Sequence, residues 1–178
     1  TTGAAFALFS STATVSGVTF STGNANLQVW DGSTWVADWT SPTFNFSNMF
    51  PGYGGTGVSE GTSTSYQTMY LKNLSTSAIA LNIVGTLRAG PTETYSGSWD
   101  ALKDQVMVAV LLPNWSGGTG WHTLNEWNTT GYTLPGGSLA QNTQREYRFY
   151  VRVNGAAGNE IATKGLTLVN FDFLGTQE

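Results

Sequence analysis

The sequence predicts an all-β protein, a jelly-roll-like β-sandwich with few short helices, and three observations lead to this fold class. Apolar and polar residues alternate in several segments, and a period of two is typical of half-buried strands. Turn-forming residues separate these segments, with 22 glycines and 5 prolines in 178 residues. Only two short stretches favour helix. Many short strands joined by turn-rich segments are typical of sandwiches and jelly rolls.

Five segments carry the strand pattern: 25–30, 78–87, 106–112, 145–153 and 166–174. In the second segment Ile79, Leu81 and Ile83 share one face. The third is apolar on both faces, which indicates a central strand. The fourth places Tyr147 and Phe149 on one side. Its other side is expected to carry Glu146, Arg148, Tyr150 and Arg152.

The segments between the strands are predicted as turns, loops and short helices. Residues 98–103 and 121–127 favour one helical turn each, and the polar stretches 40–65 and 113–120 are predicted as loops. No composition shift marks a second large domain, and 178 residues suffice for one core. The expected organisation is therefore an arm, 1–17, followed by one sandwich domain, 18–178.

Composition excludes several classes of protein. The net charge is −4 and the seven basic residues are scattered, which argues against nucleic-acid binding. The absence of Cys excludes disulfides, thiolate metal sites and Cys nucleophiles. No segment is apolar over the roughly 18 residues that a membrane helix needs. The start, Thr-Thr-Gly-Ala-Ala, resembles a processed end, so we expect a secreted, extracellular or cell-surface protein whose signal peptide is already removed.

The first seventeen residues form an uncharged arm that contains Phe6, Leu8 and Phe9. Chain ends are usually polar and frayed unless another element holds them. An apolar, β-capable end therefore needs a sheet to join. That sheet is either the chain's own or a neighbour's, and the residues alone leave both open.

No catalytic constellation is present in the sequence, and we expect no enzyme activity. His122 is the single His, no Gly-x-Ser-x-Gly motif occurs, and the eleven acidic residues are scattered. His122 and Glu126 have the spacing of one helical face, as do Asp100 and Asp104, but neither pair has a third ligand. We expect no cofactor and no metal ligand set, although calcium at a subunit contact fits the oxygen-rich loops.

Seven Trp residues are unusual in a chain of this length. Their first interpretation is packing in the core or at subunit interfaces, where the indole N–H still finds a partner. Their second interpretation is stacking on sugar rings. A secreted carbohydrate-binding β-sandwich module is therefore the alternative function. Four glycosylation sequons also occur, at Asn45, Asn73, Asn114 and Asn128, and Asn114 and Asn128 are the better candidates because they lie in predicted loops.

The chain resembles the TasA/camelysin family of secreted fibre-forming proteins. The resemblance begins in 9–29, where Thr-Phe-Ser-Thr-Gly at 19–23 precedes Leu27. Further along, Met-Phe-Pro-Gly at 49–52, Tyr-Leu-Lys-Asn-Leu-Ser at 70–75 and Leu-Pro-Gly-Gly at 134–137 are similar to short family motifs. The closing Phe-Asp-Phe-Leu-Gly-Thr-Gln at 171–177 also fits. The motifs are short, but they follow in order along almost the whole chain.

The resemblance implies a structural subunit of an extracellular filament or pilus, like the related archaeal bundling pilins and cannula subunits. In such fibres the N-terminal strand of one jelly-roll subunit completes the β-sandwich of the next, a form of β-augmentation. Carried over to this chain, residues 4–14 are the donor strand, Phe6 and Leu8 insert into the neighbour's core, and Phe9 packs on the other side. The partner is the chain itself, as a head-to-tail homopolymer in a biofilm matrix, in adhesion or in cell–cell linkage, with neighbouring filaments or glycans as further partners.

A third class, the proteases, follows from the proteolytic activity for which camelysins were named. The chain lacks the His-Glu-x-x-His helix of zinc proteases and has one His. The residues therefore favour the fibre subunit over an enzyme.

Overall fold

Two antiparallel sheets face each other in an all-β sandwich. The structure is a computed structural model, and it describes residues 10–14, 25–39, 66–76, 78–88, 99–158 and 170–177. Within these residues no helix is both long and apolar enough to cross a membrane.

The described part of the chain contains ten strands and three short helical segments. In chain order they are β1 (Ser10–Thr14), β2 (Leu27–Trp30), β3 (Trp35–Val36), β4 (Tyr66–Asn73), β5 (Leu81–Arg88), α1 (Trp99–Leu102), β6 (Val106–Leu111), a 3₁₀ turn (Pro113–Trp115), β7 (His122–Thr123), α2 (Leu124–Thr129), β8 (Tyr132–Thr133), β9 (Gln144–Val153) and β10 (Asn170–Gln177).

The strands divide into a four-stranded and a six-stranded sheet. The four-stranded sheet has the order β1-β10-β5-β8, and the six-stranded sheet has the order β3-β2-β4-β9-β6-β7. Every pairing is antiparallel. In the larger sheet one row runs across three strands, because Tyr150 is the register partner of both Tyr66 and Ala109.

Alternation along the strands builds one main core between the sheets. Along β5 the residues at 81, 83, 85 and 87 are buried and those between them are half-buried. From β10, Phe171 and Phe173 enter the same core, and Phe149 of β9 meets Phe171 edge-to-face at 5.4 Å. Burial of each such side chain contributes about 1.5–3 kcal/mol. The core is therefore aromatic where β9 and β10 face each other.

Trp127 of α2 fills the centre of the sandwich. Its side chain is fully buried, and its Nε1 donates to the carbonyl of Val108 at 3.1 Å. Gly85 makes room for it, since a Cβ there would lie 3.3 Å from the Trp127 ring and 3.2 Å from Phe173. Gly131 follows α2 with a φ of 70°, and a Cβ there would lie 2.5 Å from Thr86. A side chain at Gly85 would therefore be tightly packed, while Gly131 favours glycine for both its backbone conformation and its space.

The predicted fold class is confirmed, and so are the faces of the main strands. Residues 108–111 of β6 are buried on both faces, as expected of a strand with neighbours on each side. Strand β4 was not predicted. The helix expected over 121–127 begins instead at Leu124, and the predicted loop 113–120 contains the 3₁₀ turn. The predicted loop 40–65 and the first part of the strand 166–174 lie outside the described residues.

Candidate functional site

Among the described residues, β1 lies at one edge of the four-stranded sheet and the two-residue strand β8 lies at the other. The five residues of β1 pair with β10 in an unbroken register, from Ser10 opposite Thr176 to Thr14 opposite Asp172. Strand β10 pairs with β5 on its other side. Without β1, the edge-facing backbone N–H and C=O groups of β10 would have no strand partner, and such groups template the addition of another strand.

Strand β10 is anchored to the sandwich independently of β1. Its inward side chains at Phe171 and Phe173 belong to the core. On the outward side Arg88 of β5 forms a bidentate pair with Asp172, with Nη2 to Oδ1 at 2.6 Å and Nε to Oδ2 at 2.8 Å. Charge-assisted pairs of this geometry fix orientation. The acceptor edge is therefore held in place by contacts that β1 does not supply.

The arm predicted at 1–17 is described only in part. Phe6, Leu8 and Phe9 lie outside the described residues. Residues Ser10–Thr14 pair with β10 of the same chain, which is the fold-back arrangement that the residues alone left open. The structure contains one chain, so it presents this pairing within the subunit.

The four sequons lie in different environments. Asn45 is outside the described residues, and Asn114 is exposed with a φ of 63°. Asn128 is half-buried and its Nδ2 donates to the Leu87 carbonyl at 3.0 Å. Asn73 is fully buried, so a glycan on its nitrogen is incompatible with this fold. Asn114 remains the accessible candidate among those described.

Asn73 instead closes a buried polar network at the end of β4. Its Nδ2 donates to the carbonyls of Ile79 at 2.7 Å and Leu139 at 2.8 Å. Its Oδ1 accepts from both the backbone N–H and the hydroxyl of Ser75, and the Ser75 hydroxyl in turn accepts from the N–H of Asn26 at 3.0 Å. One amide thus ties together four separate stretches of the chain.

His122 and Glu126 are neighbours through a helix cap rather than a shared helical face. Glu126 accepts from the Thr123 N–H at 2.7 Å, while its own N–H donates to the Thr123 hydroxyl, which completes a capping box for α2. The His122 ring stacks on Tyr132 at 3.7 Å, and its Nε2 lies 2.8 Å from the Thr119 carbonyl. Both side chains therefore have structural roles.

Asp100 and Asp104 also lack the predicted shared face, because α1 ends at Leu102. Asp100 pairs with Lys103 at 2.6 Å, and the hydrogen bond raises the pKa of that lysine. Asp104 accepts from Asn125 at 2.9 Å. In the described ranges no three His, Asp or Glu side chains gather into a metal-binding group.

The outward face of the six-stranded sheet carries a cluster of aromatic and basic side chains. We call it the outer aromatic face, and its members are Tyr66, Tyr150, Trp115, Trp121, Arg148 and Arg152. Tyr150 packs against Tyr66 at 5.4 Å and against Trp115 at 4.9 Å. Each guanidinium covers a ring: Arg148 lies 4.5 Å from the centre of Tyr66, and Arg152 lies 4.4 Å from that of Trp121.

The two arginines of this face differ in their electrostatic partners. Arg148 Nε donates to Glu146 at 2.8 Å, and this hydrogen bond raises the pKa of Arg148. Arg152 makes no ion pair with any described residue; its polar contact is to the Met107 sulfur at 3.6 Å. Burial lowers the pKa of Arg152, although an arginine stays charged at neutral pH. Arg152 is thus a partly desolvated cation that forms no ion pair with the acidic residues that the structure describes.

A shallow pocket of about 200 Å³ opens between Trp115 and Trp121. Small residues line it, including Ala109 and Gly118. Trp115 is held there in the left-handed backbone region, with a φ of 59° directly after Asn114 at 63°. That conformation is a genuine outlier for a bulky side chain. The sequence placed Arg148, Tyr150 and Arg152 on one face, but the two Trp come from loops, where no periodicity connects them to β9.

The fold and the sheet edge together define an all-β sandwich with a peripheral edge strand. Comparison with protein-family models, with curated proteins and with solved structures finds no match to this chain.

Proposed function

We propose that this chain is the subunit of an extracellular filament that polymerises by donor-strand complementation. The observation that supports the proposal most strongly is the position of β1. Among the described strands it lies at an edge of its sheet, where it pairs with β10. A neighbouring copy of the same segment offers β10 an identical backbone ladder.

The energetics of β1 show that its backbone ladder alone does not hold it at this edge. Each hydrogen bond of the ladder contributes about 0.5–1.5 kcal/mol net. Ordering the backbone costs about 1–2 kcal/mol per residue. For the five residues Ser10–Thr14 the ordering cost is therefore at least comparable with the gain from the ladder, in the same subunit or in a neighbouring one. Stable docking then depends on apolar side chains, which the arm carries at Phe6, Leu8 and Phe9.

The segment between β1 and β2 is long enough to allow transfer. Residues 15–26 connect the two strands, and an extended chain spans at most about 3.3–3.6 Å per residue. The greatest reach, roughly 40–43 Å, exceeds the diameter of a small domain, roughly 30 Å. A strand exchanged head-to-tail does not close on itself and therefore generates a filament.

The proposal includes the wider features of the family that the chain resembles. The subunit is secreted, its partner is another copy of itself, and the filament serves a biofilm matrix, adhesion or cell–cell linkage. Assembly uses strand pairing and needs neither a cofactor nor catalysis.

Engineered disulfides test where β1 docks, because the chain has no native Cys. Thr12 and Leu174 are register partners, and partners in an antiparallel pair lie within disulfide range. We expect the T12C/L174C double variant, oxidised during assembly, to give a ladder of covalent oligomers on non-reducing gels. A mixture of the T12C and L174C single variants should give a dimer across one junction.

The control is S10C/L174C, which is two residues out of register and should cross-link far less. A T12C/L174C variant that gives only an internally cross-linked monomer, with no oligomers at any protein concentration, would show that β1 belongs to its own subunit. That outcome contradicts the proposal.

A further inference from the structure

The outer aromatic face is independent of the sheet edge used for assembly. It lies on the six-stranded sheet, whereas β1 and β10 belong to the four-stranded sheet. Its aromatic side chains do not enter the main core; Trp115, Trp121 and Tyr66 pack around a separate outer cluster of Ala109, Leu111 and Tyr150. This surface is therefore available for a second role.

The accessible part of the face is the pocket between Trp115 and Trp121. Tyr150 and Ala109 are buried, whereas the two indoles are half-buried and line a pocket of about 200 Å³. Aromatic side chains beside a shallow pocket suit the C–H face of a sugar ring.

The basic side chains of the face favour a ligand that carries negative charge. Three of the chain's seven basic residues, Lys72, Arg148 and Arg152, lie on the outward side of this sheet. Glu146 is the one acidic residue within β2, β4, β6 and β9, and it is paired with Arg148. On this side the described strands therefore carry more positive than negative charge, within a chain of net charge −4. Arg152 in particular presents a guanidinium that no described carboxylate neutralises, and this group binds carboxylates in a fork geometry.

We propose that the outer aromatic face binds an acidic polysaccharide, a chain of uronate sugars. Trp115 and the face of Trp121 that Arg152 does not cover pack against a sugar ring in the pocket between them. Arg152 binds a sugar carboxylate, with Arg148 and Lys72 adding positive charge. The strained backbone at Trp115 fits this role, since strain is retained where a side chain must be held in a fixed orientation.

The test is calorimetric titration of the purified chain with polygalacturonate and with its methyl ester, which differ in the carboxylate charge. We expect binding to polygalacturonate that weakens as salt rises and is at least about tenfold weaker for the ester. The variant R152Q should bind polygalacturonate about tenfold less tightly, which corresponds to about 1.4 kcal/mol. W121A should lose a similar factor.

The matched control is K103Q, which removes one positive charge away from this face and should change the affinity less than twofold. Circular dichroism and thermal melting check that W121A is folded; R152Q keeps the test valid if W121A is not. Absence of binding to polygalacturonate, equal binding of the ester, or equal loss in R152Q and K103Q would each overturn the proposal.

Discussion

The side-chain amide of Asn73 illustrates how much structure one residue can organise. Its sequon was expected to mark a surface, but the same spacing lets Ser75 donate its backbone N–H to the Asn73 side chain, the geometry of an Asx turn. Sequence could predict that turn. It could not predict that the Asn73 amide also donates to the Leu139 carbonyl, because these two residues are 66 positions apart in the chain.

We expect Asn73→Ala to destabilise the fold by about 2–5 kcal/mol, because it removes the side-chain donor of the Ile79 carbonyl and the acceptor of the buried Ser75 N–H, each worth about 1–3 kcal/mol. The Leu139 carbonyl keeps the N–H of Leu81 as a donor. Urea denaturation followed by circular dichroism measures this change. The control is Asn128→Ala, which removes one half-buried hydrogen bond and should cost about 1 kcal/mol. Equal effects of the two substitutions would contradict the role assigned to Asn73.

Among the elements, the contrast between β5 and β4 shows why one strand was predicted and the other was not. In β5 the buried residues alternate with polar ones, apart from Val84. In β4, Met69 and Leu71 face the core, but Tyr66 and Tyr70 lie on the opposite side. Because the outward face carries tyrosines while the inward face carries Met69 and Leu71, the strand lacks the contrast between an apolar and a polar face. The two-residue strands β3, β7 and β8 are too short to show any period.

The start of α2 was predicted three residues too early although its capping signal was present. Thr123 and Glu126 have the spacing of a capping box. We expect Thr123→Ala to lower the free energy of unfolding by about 1 kcal/mol, since it removes the oxygen that accepts from the Glu126 N–H. Thr123→Ser retains the hydroxyl and should lose much less. Comparison of the two by chemical denaturation checks the prediction, which fails if serine does not rescue.

For the whole molecule, the strand next to β1 is held in place by contacts of its own. The main core contains side chains of β2, β4, β5, β6, β9 and β10, and β10 is secured by β5 and the Arg88–Asp172 pair. Much of this layout was predictable from alternation. The edge was not, because strand order depends on pairings between residues far apart, such as Ser10 with Thr176.

We expect a chain lacking residues 1–14 to remain folded but to lose polymerisation, because the donor is removed while the acceptor edge stays in place. Circular dichroism reports the fold, and light scattering with electron microscopy reports filaments. A peptide of residues 1–17 should bind the truncated chain and raise its Tm. If the truncated chain forms filaments, the arm is not the donor strand. If the truncated chain unfolds and the peptide does not restore its fold, the arm is an ordinary strand of its own subunit.

Trp127 gives the protein a built-in optical reporter. It is the one fully buried indole of the seven, whereas the other six are partly exposed. A collisional quencher in solvent should therefore reduce the fluorescence emission of those six. The emission that remains should come from Trp127 and should be blue-shifted. The Trp127 ring meets Phe171 of β10 at 5.5 Å, so this remaining emission reports directly on whether the strand that accepts β1 is seated against the opposite sheet.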